Sequence, residues 1–238
     1  MKRASHFGRL SVVGSVSDNS NPRSLATAMR RKRFAFFLSL LDRVPRPVRI
    51  LDVGGLQQFW KMMGSERLEG ISVTLLNLRS ERIEDGLFAE SIAGDARDLG
   101  QFDSGGFDVV FSNSVIEHLG PRFEDQRRMA DEVRRVGKRY FVQTPNRYFP
   151  IEPLFLTPGF QFLPVAVRVW LVTHFNVGWY QRFPDVASAK QEVESISLLS
   201  RNQVQDLFPE AGIFEEKILG LTKSFVAYHG WNDAGARS

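Results

Sequence analysis

The sequence contains no cysteine and only four histidines among its 238 residues. The absence of thiols excludes disulfides, thiolate zinc sites, iron–sulfur clusters and a cysteine nucleophile. No metal site is predicted. A protein without disulfides fits the cytoplasm, which is the expected location.

Long apolar runs are also missing. Residues 34–41 are apolar apart from Ser39, but a membrane-spanning helix needs about 20 such residues. The apolar and aromatic region 151–180 is interrupted by Pro153, Pro158, Pro164 and Arg168. Residues 4–23 are mixed and polar, which is unlike the apolar core of a signal peptide. No membrane-spanning segment is predicted.

The net charge of +4 includes a basic run at residues 30–33. This run is either the solvated face of an N-terminal helix or a contact for anionic lipid, phosphate or nucleic acid. Nucleic acid is not expected as a partner, because the basic residues do not form a stripe with interleaved aromatics. Peripheral contact with a membrane stays open as an alternative, and the oligomeric state is not predicted.

The chain divides into a flexible arm at residues 1–22 and a single domain at 23–238. Ser24 can cap a helix that runs to about Asp42, where Pro45 and Pro47 prevent its continuation. Residues 146–190 hold no clear alternation of strands and helices and are rich in aromatics, so we treat them as an insert or lid.

Between these segments, short apolar runs alternate with helical patterns. The predicted strands are residues 48–53, 71–78, 88–93, 107–113, 138–144, 213–219 and 222–228, and the predicted helices include 122–136 and 198–208. Buried runs separated by helices are typical of a parallel sheet covered on both faces. The last two strands, joined by a tight turn at Gly220, predict an antiparallel C-terminal hairpin. The predicted fold is therefore α/β: a Rossmann-like, doubly wound, seven-stranded, mostly parallel sheet.

In such a sheet the ligand binds at the carboxyl ends of the strands. The first strand ends at Asp52, Gly54 and Gly55, where glycine permits a sharp turn and close approach of a ligand. The second strand ends near Asn77, whose amide can bind hydroxyl groups. A structural turn would explain either feature equally well, so both interpretations stay open.

The next strand ends show the same ambiguity. Gly94, Asp95 and Ala96 follow the third strand, and this aspartate either binds an exocyclic amine or caps a turn. Small polar residues follow the fourth strand, namely Ser112, Asn113 and Ser114. His118 comes shortly afterwards and is either a general base for a substrate hydroxyl or a capping histidine.

Taken in order, the segments ILDVGG, TLLNL, AGDARDL, FDVVFSNSVIEHL and YFVQTPN resemble the class I S-adenosylmethionine-dependent methyltransferases, particularly their type 11 small-molecule branch. The resemblance covers residues 48–145 and 196–228. It implies S-adenosyl-L-methionine as cofactor, with Asp52, Gly54 and Gly55 at its methionine end. It further implies that Asn77 meets the ribose and that Asp95 and Ala96 meet the adenine. Ser112 to Ser114 would lie near the sulfonium.

Two departures from the family pattern leave an alternative open. Leu56 and Gln58 stand where the family often has further glycines, and Asn77 replaces the usual acid. The chain is therefore either an active methyltransferase or a degenerate relative that binds the cofactor or a partner without methyl transfer. The family's signature for N-methylation is absent after the fourth strand, which favours an oxygen acceptor on a small molecule, a lipid-linked compound or a glycan.

The aromatic insert has three interpretations: a lid or satellite core that buries its own side chains, a wall of a hydrophobic substrate pocket, or a dock on a membrane surface. Arg147 and Tyr148, at its start, are candidates for binding the acceptor.

Overall fold

A computed structural model describes residues 25–64, 68–83, 86–151, 155–178 and 180–231. The predicted arm at 1–22 lies outside these residues. The chain divides into two compact units. The first unit combines Met1–Phe36 with Pro150–Lys190, and the second unit combines Phe37–Phe149 with Gln191–Ser238. The segment Pro150–Lys190 falls within the predicted insert.

The second unit contains one seven-stranded sheet in the order β3-β2-β1-β4-β5-β7-β6. Its strands are β1 (Val48–Val53), β2 (Ile71–Asn77), β3 (Phe88–Ala93), β4 (Val109–Asn113), β5 (Tyr140–Pro145), β6 (Gly212–Ile218) and β7 (Leu221–His229). Strands β1 to β5 are parallel, whereas β7 runs antiparallel to both β5 and β6. The predicted fold class is thus confirmed, including the C-terminal hairpin.

Among the described residues, one α-helix precedes β1 and the others lie between strands in the sequence. The helices are α1 (Leu25–Leu41), α2 (Gln57–Met63), α3 (Phe123–Val136), α4 (Val165–His174), α5 (Val186–Ser195) and α6 (Arg201–Leu207). Helix α3 buries Met129, Ala130 and Val133 on one face, as its spacing predicts. Ser200 and Gln203 form a reciprocal capping box at the start of α6, within the helix predicted at 198–208.

The two faces of the sheet have different cores. Val110 and Val142 contribute to an aliphatic cluster with residues of α3 and α6. Phe111 and Phe141, one position along on each strand, point to the other face and stack on each other at 5.7 Å. Phe37 packs against both rings at 4.8 and 5.2 Å. Buried on both faces, the central strands consist of nearly continuous apolar residues, which is why the sequence revealed them.

The strand register brings the functional candidates to one edge. Val53 at the end of β1 lies beside Leu76 of β2 and Ser112 of β4. The chain moves from β1 outward to β3 and then returns to place β4 on the other side of β1. The crevice at this switch point is where open α/β sheets bind ligands, and it lies between the glycine turn and the polar end of β4.

The described part of the first unit has an aromatic core of its own. Phe155 stacks on Phe160 at 4.2 Å and on Tyr180 at 5.0 Å. The Phe183 amide donates to the Val172 carbonyl, which ties this segment to α4. Helix α4 was not predicted, because Pro164 suggested a break. Pro164 instead directly precedes the helix, where its missing N–H costs nothing.

No helix among the described residues is both long enough and apolar enough to cross a membrane.

The aromatic face of the second unit should dominate its stability. Replacing the fully buried Phe141 with alanine should lower the free energy of unfolding by about 3–5 kcal/mol, since it leaves a cavity beside Phe37 and Phe111. Urea denaturation followed by circular dichroism measures this change. Leu219→Ala is the control: that side chain is 98% exposed, so its loss should change stability by less than about 0.5 kcal/mol. Equal effects of the two substitutions would contradict the assignment of this core.

Candidate functional site

The turn after β1 requires glycine at both of its positions. Gly54 has a φ of +76°, which side chains rarely adopt, and a Cβ there would overlap the side chain of Val115. A Cβ on Gly55 would overlap the carboxyl group of Asp52. The turn therefore folds back over the aspartate that precedes it, and the two glycines are explained by packing in the turn itself.

The carboxyl group of Asp52 is buried, with 1% of the residue exposed. Trp60 of α2 donates from Nε1 to Oδ2 at 2.6 Å. The other oxygen, Oδ1, has no hydrogen-bond partner within the described part of the chain. Burial raises the pKa of Asp52 to about 7, and the hydrogen bond from Trp60 opposes that shift only in part. A buried carboxyl oxygen without a partner is costly, and a cationic ligand would relieve that cost.

A hydrogen bond from Asn77 connects the turn after β1 to the end of β2. Its side-chain amide donates from Nδ2 to the Gly55 carbonyl at 2.8 Å. The amide N–H is therefore used within the protein, and the prediction that Asn77 meets a ribose rests on the remaining capacity of its carbonyl oxygen. That prediction stays untested.

The segment after β3 is held by an ion pair. Arg97 donates from Nε and from a terminal nitrogen to the carboxyl of Asp95, at 2.6–3.1 Å. These hydrogen bonds lower the pKa of Asp95, so the group is ionised near neutral pH. Ala96 belongs to the aliphatic core. The side chains of Leu76 and Gln101 pack closely against Gly94 and leave no room for a Cβ there. The Gly94 amide donates to the Asn77 carbonyl. These three residues are brought to the same edge as Asn77.

The polar residues at the end of β4 form hydrogen bonds to the neighbouring strands at the same edge of the sheet. Ser112 is buried and donates from Oγ to the Val53 carbonyl at 3.1 Å. Ser114 has a φ of 58°, in the left-handed region, and donates from Oγ to Oε1 of Gln143 at 2.8 Å. Asn113 is half-buried between them. The predicted serines thus lie opposite the glycine turn, with Gln143 of β5 as a partner that sequence patterns did not reveal.

His118 lies in a short 3-10 turn, Ile116–His118. Hydrogen bonds to three other segments of the chain hold this turn in place. The buried carboxylate of Glu117 accepts from Oγ1 of Thr144, and its backbone carbonyl accepts from the Ser197 amide. Gln126 donates from Nε2 to the Ile116 carbonyl at 3.2 Å and to the Ser197 carbonyl at 2.8 Å. Sequence analysis missed these partners, since each comes from a different element.

The ring of His118 can act as a base near neutral pH. The residue is exposed, but partial loss of hydration lowers the pKa of the ring, while the negative charge of Glu192 acts in the opposite direction. A lowered pKa leaves the imidazole neutral at pH 7, which is the form that accepts a proton.

A cavity of about 290 Å³ with a mixed polar and apolar lining lies where β5 ends and β7 begins. Its lining residues are Asn146, Tyr148, Ser200, Arg201, Asn202, Glu215, Thr222 and Phe225. The predicted acceptor residue Tyr148 is among them, whereas Arg147 is not. Arg147 instead uses its backbone amide to bind the Leu199 carbonyl.

The structure therefore brings the predicted residues of β1, β2 and β4 together and adds Trp60, whose only sequence signal is its place in the apolar pattern of α2. Among the described residues, no group of three or more histidine, aspartate or glutamate side chains is placed to hold a metal ion.

The raised pKa of Asp52 predicts an unusual dependence of stability on pH. In the unfolded chain an aspartate loses its proton near pH 4, whereas in the folded protein Asp52 keeps it until about pH 7. Stability from this group is thus complete below about pH 4 and is lost as the pH rises through 7. Asp52→Asn removes this loss, so the variant should gain stability relative to the parent between pH 4 and 7, by a few kcal/mol.

Urea denaturation at several pH values measures the difference between the two proteins. Asp108→Asn serves as the control, because Lys138 donates to this carboxyl at 2.8 Å and the pKa of Asp108 is lowered. The difference in stability between Asp108→Asn and the parent should change with pH only below about pH 4. Parallel stability profiles for Asp52→Asn and the parent across pH 4 to 7 would contradict the burial of a protonated Asp52.

The close approach of Gly55 to Asp52 gives a second prediction. Gly55→Ala should destabilise the protein by about 2 kcal/mol or more, because the new methyl group overlaps the carboxyl. Adding Asp52→Ala should recover much of that loss, since the obstacle is removed. Thermal unfolding of the two single variants and the double variant gives the coupling; purely additive effects would show that the two residues do not touch.

Comparisons with known proteins concern the domain family and the fold of the chain. Residues 54–140 match the family described as "Methyltransferase domain". A search of the curated proteins returned no match. Among solved structures, the carbon methyltransferase of CurJ is similar with a TM-score of 0.54 and 12% identity, covering 90% of this chain and 56% of that one.

Two further structures are more distant. A putative O-methyltransferase from Nostoc punctiforme PCC 73102 has a TM-score of 0.46 and 10% identity, with 87% of this chain and 58% of that one covered. A putative sarcosine dimethylglycine methyltransferase from Galdieria sulphuraria has a TM-score of 0.48 and 12% identity, with 84% and 67% covered. The chain thus spans a little over half the length of the first two of these three proteins. Residues 54–140 are thus similar to a methyltransferase domain, and the described residues form a seven-stranded, mostly parallel sheet with an antiparallel C-terminal hairpin.

Proposed function

We propose that this chain transfers a methyl group from S-adenosyl-L-methionine to an oxygen of a small-molecule, lipid-linked or glycan acceptor. The observation that carries the proposal is the buried carboxyl of Asp52, whose Oδ1 lacks a partner among the described residues and lies at the switch point of the sheet. The cytoplasmic location expected from the composition stays a prediction.

The residues at the switch point suit the cofactor's distinct groups. Asp52 would accept from the amino group at the methionine end, and the charge of that group would draw Asp52 into its ionised form. Asn77 would meet the ribose with its carbonyl oxygen, and Asp95 with Ala96 would meet the adenine. Gly54 and Gly55 leave backbone close to the ligand, and Ser112 to Ser114 would border the reacting methyl group.

When bound, S-adenosyl-L-methionine supplies a methyl group that is already activated, so the protein has only to position the acceptor and remove its proton. His118 is the candidate base: its lowered pKa favours the neutral ring, and the buried contacts around Glu117 fix its turn. A hydroxyl oxygen that gives its proton to this ring becomes the nucleophile.

The cavity at the end of β5 supports a hydroxylated acceptor. The exposed ring of Tyr148 offers an aromatic face, and Asn202 and Glu215 offer a donor and an acceptor at the same cavity. A cavity that combines aromatic rings with several polar groups suits a sugar or a similar polyol. Arg147 remains a candidate for an anionic group of the acceptor.

A second candidate function is binding of the cofactor without methyl transfer. It is favoured by the contact between Trp60 and Asp52, since one carboxyl oxygen is already in use, and by Leu56 and Gln58, which stand where the family often has glycine. The two functions differ in turnover and share cofactor binding.

Calorimetry with S-adenosylmethionine and S-adenosylhomocysteine tests the cofactor site. Asp52→Asn should weaken binding by about tenfold to a hundredfold, because it removes the charged partner of an amino group. Asp206→Asn, an exposed carboxylate on α6, is the matched control and should bind like the parent. Unchanged affinity in Asp52→Asn would show that the cofactor is not held by this residue.

Transfer of radiolabelled methyl groups to cell extracts then separates the two functions. If the chain is an enzyme, His118→Gln should lower kcat by about a hundredfold or more while the dissociation constant of S-adenosylhomocysteine stays unchanged. It should also remove the acidic limb of the pH profile. Cofactor binding without labelled product in any extract would favour the degenerate relative, and full activity in His118→Gln would exclude His118 as the base.

A further inference from the structure

The first unit carries an apolar surface on helix α4. Val167, Trp170 and His174 follow one another at three- and four-residue spacing, so they share one face of the helix. Trp170 is 51% exposed and Val167 is 41% exposed, whereas Val169 and Val172 on the opposite face are buried. The helix therefore packs with its aliphatic side and presents a tryptophan to the outside.

The aromatic surface continues beyond the end of the helix. Phe175, 53% exposed, directly follows α4 and meets the Trp170 ring edge-on at 5.7 Å. The ring of His174 stacks on the other side of Trp170 at 5.0 Å. Phe162, in the turn before the helix, is also 53% exposed. Single exposed apolar residues are common, but several large aromatic side chains on one exposed surface indicate a site of interaction.

The charge around this surface has one sign. From residue 153 to residue 184 the sequence contains no aspartate or glutamate but does contain Arg168 and Arg182. The backbone amide of Arg182 donates to Oδ1 of Asn176 at 2.8 Å, one residue after Phe175, and this hydrogen bond keeps exposed Arg182 near the aromatic surface. An anionic partner is therefore favoured over a neutral one.

The first unit as a whole shows the same bias. Its two segments contain eleven lysines and arginines against three acidic residues, whereas the second unit contains twenty against twenty-four. The small net charge of the protein thus conceals a strongly basic unit and a weakly acidic one. Arg31 and Lys32, which are exposed, belong to the basic run of the first unit.

We propose that Trp170 and Phe175 insert into the surface of an anionic membrane and that the exposed residues Arg31, Lys32 and Arg182 contact its phosphate groups. Tryptophan and phenylalanine with arginine and lysine are the composition of interfacial membrane anchors. The ten residues of α4 suit a helix that lies in the interface, and an anionic lipid surface matches both the apolar side chains and the missing acidic residues. The proposal is independent of methyl transfer.

Vesicle co-sedimentation of the full chain tests this proposal. The protein should bind vesicles of phosphatidylcholine mixed with phosphatidylglycerol much more strongly than vesicles of phosphatidylcholine alone. Trp170→Ser and Phe175→Ser should each weaken the partition coefficient by roughly tenfold, the effect expected from losing one buried aromatic side chain. Leu219→Ser, at an exposed apolar position in the second unit, should bind like the parent. Unchanged thermal midpoints establish that the variants fold.

Brominated lipids test insertion directly, because they quench tryptophan fluorescence only on contact. Trp170→Phe should still sediment with anionic vesicles but should lose part of the quenching that the parent shows. Three results would overturn the proposal: no preference for anionic vesicles, equal binding by the parent and Trp170→Ser, or concentration-dependent self-association that Trp170→Ser abolishes. The last result would identify a second copy of the chain as the occupant of this surface.

Discussion

The buried carboxyl of Asp52 is the constraint on which the site depends. It forces glycine at position 55, receives the indole N–H of Trp60 from α2, and leaves Oδ1 without a partner in the described residues. Asn77 and Ser112 then bind the backbone on either side of it. A protein seldom keeps a carboxyl group in such a place for stability alone, since its charged form is disfavoured there. The cost is explained if a cationic ligand completes the site.

Much of this architecture could be predicted from the sequence, because its causes are local. The strands β1, β4 and β5 are short apolar runs, as expected for strands covered on both faces. Gly54 marks the turn, Ser200 marks the start of α6, and Gly220 marks the hairpin. Where the register of parallel strands is regular, the residues that end them must meet at one edge, so the position of the site followed from the strands.

The chemistry within the site could not be predicted, because it depends on partners that are distant in the sequence or belong to other elements. Arg97 is only two residues from Asp95, but the sequence alone does not show whether this carboxyl binds Arg97 or a ligand. The pairing of Thr144 with Glu117 joins residues on two elements. Trp60 looked like an ordinary apolar residue of a helix, yet its N–H sets the environment of Asp52. Helix α4 was missed for a different reason: proline breaks a helix in its interior but is tolerated before its first turn.

The central claim is that burial raises the pKa of Asp52 to about 7 in the free protein and that a bound amino group shifts the carboxyl to its ionised form. The most direct test is to follow the Asp52 carboxyl by carbon-13 NMR across pH, with and without S-adenosylhomocysteine, using Asp52→Asn to assign the signal. The account predicts titration near pH 7 in the free protein and a clear fall of that pKa when the ligand is bound. A pKa near 4 in the free protein, or one near 7 that the ligand leaves unchanged, would contradict it.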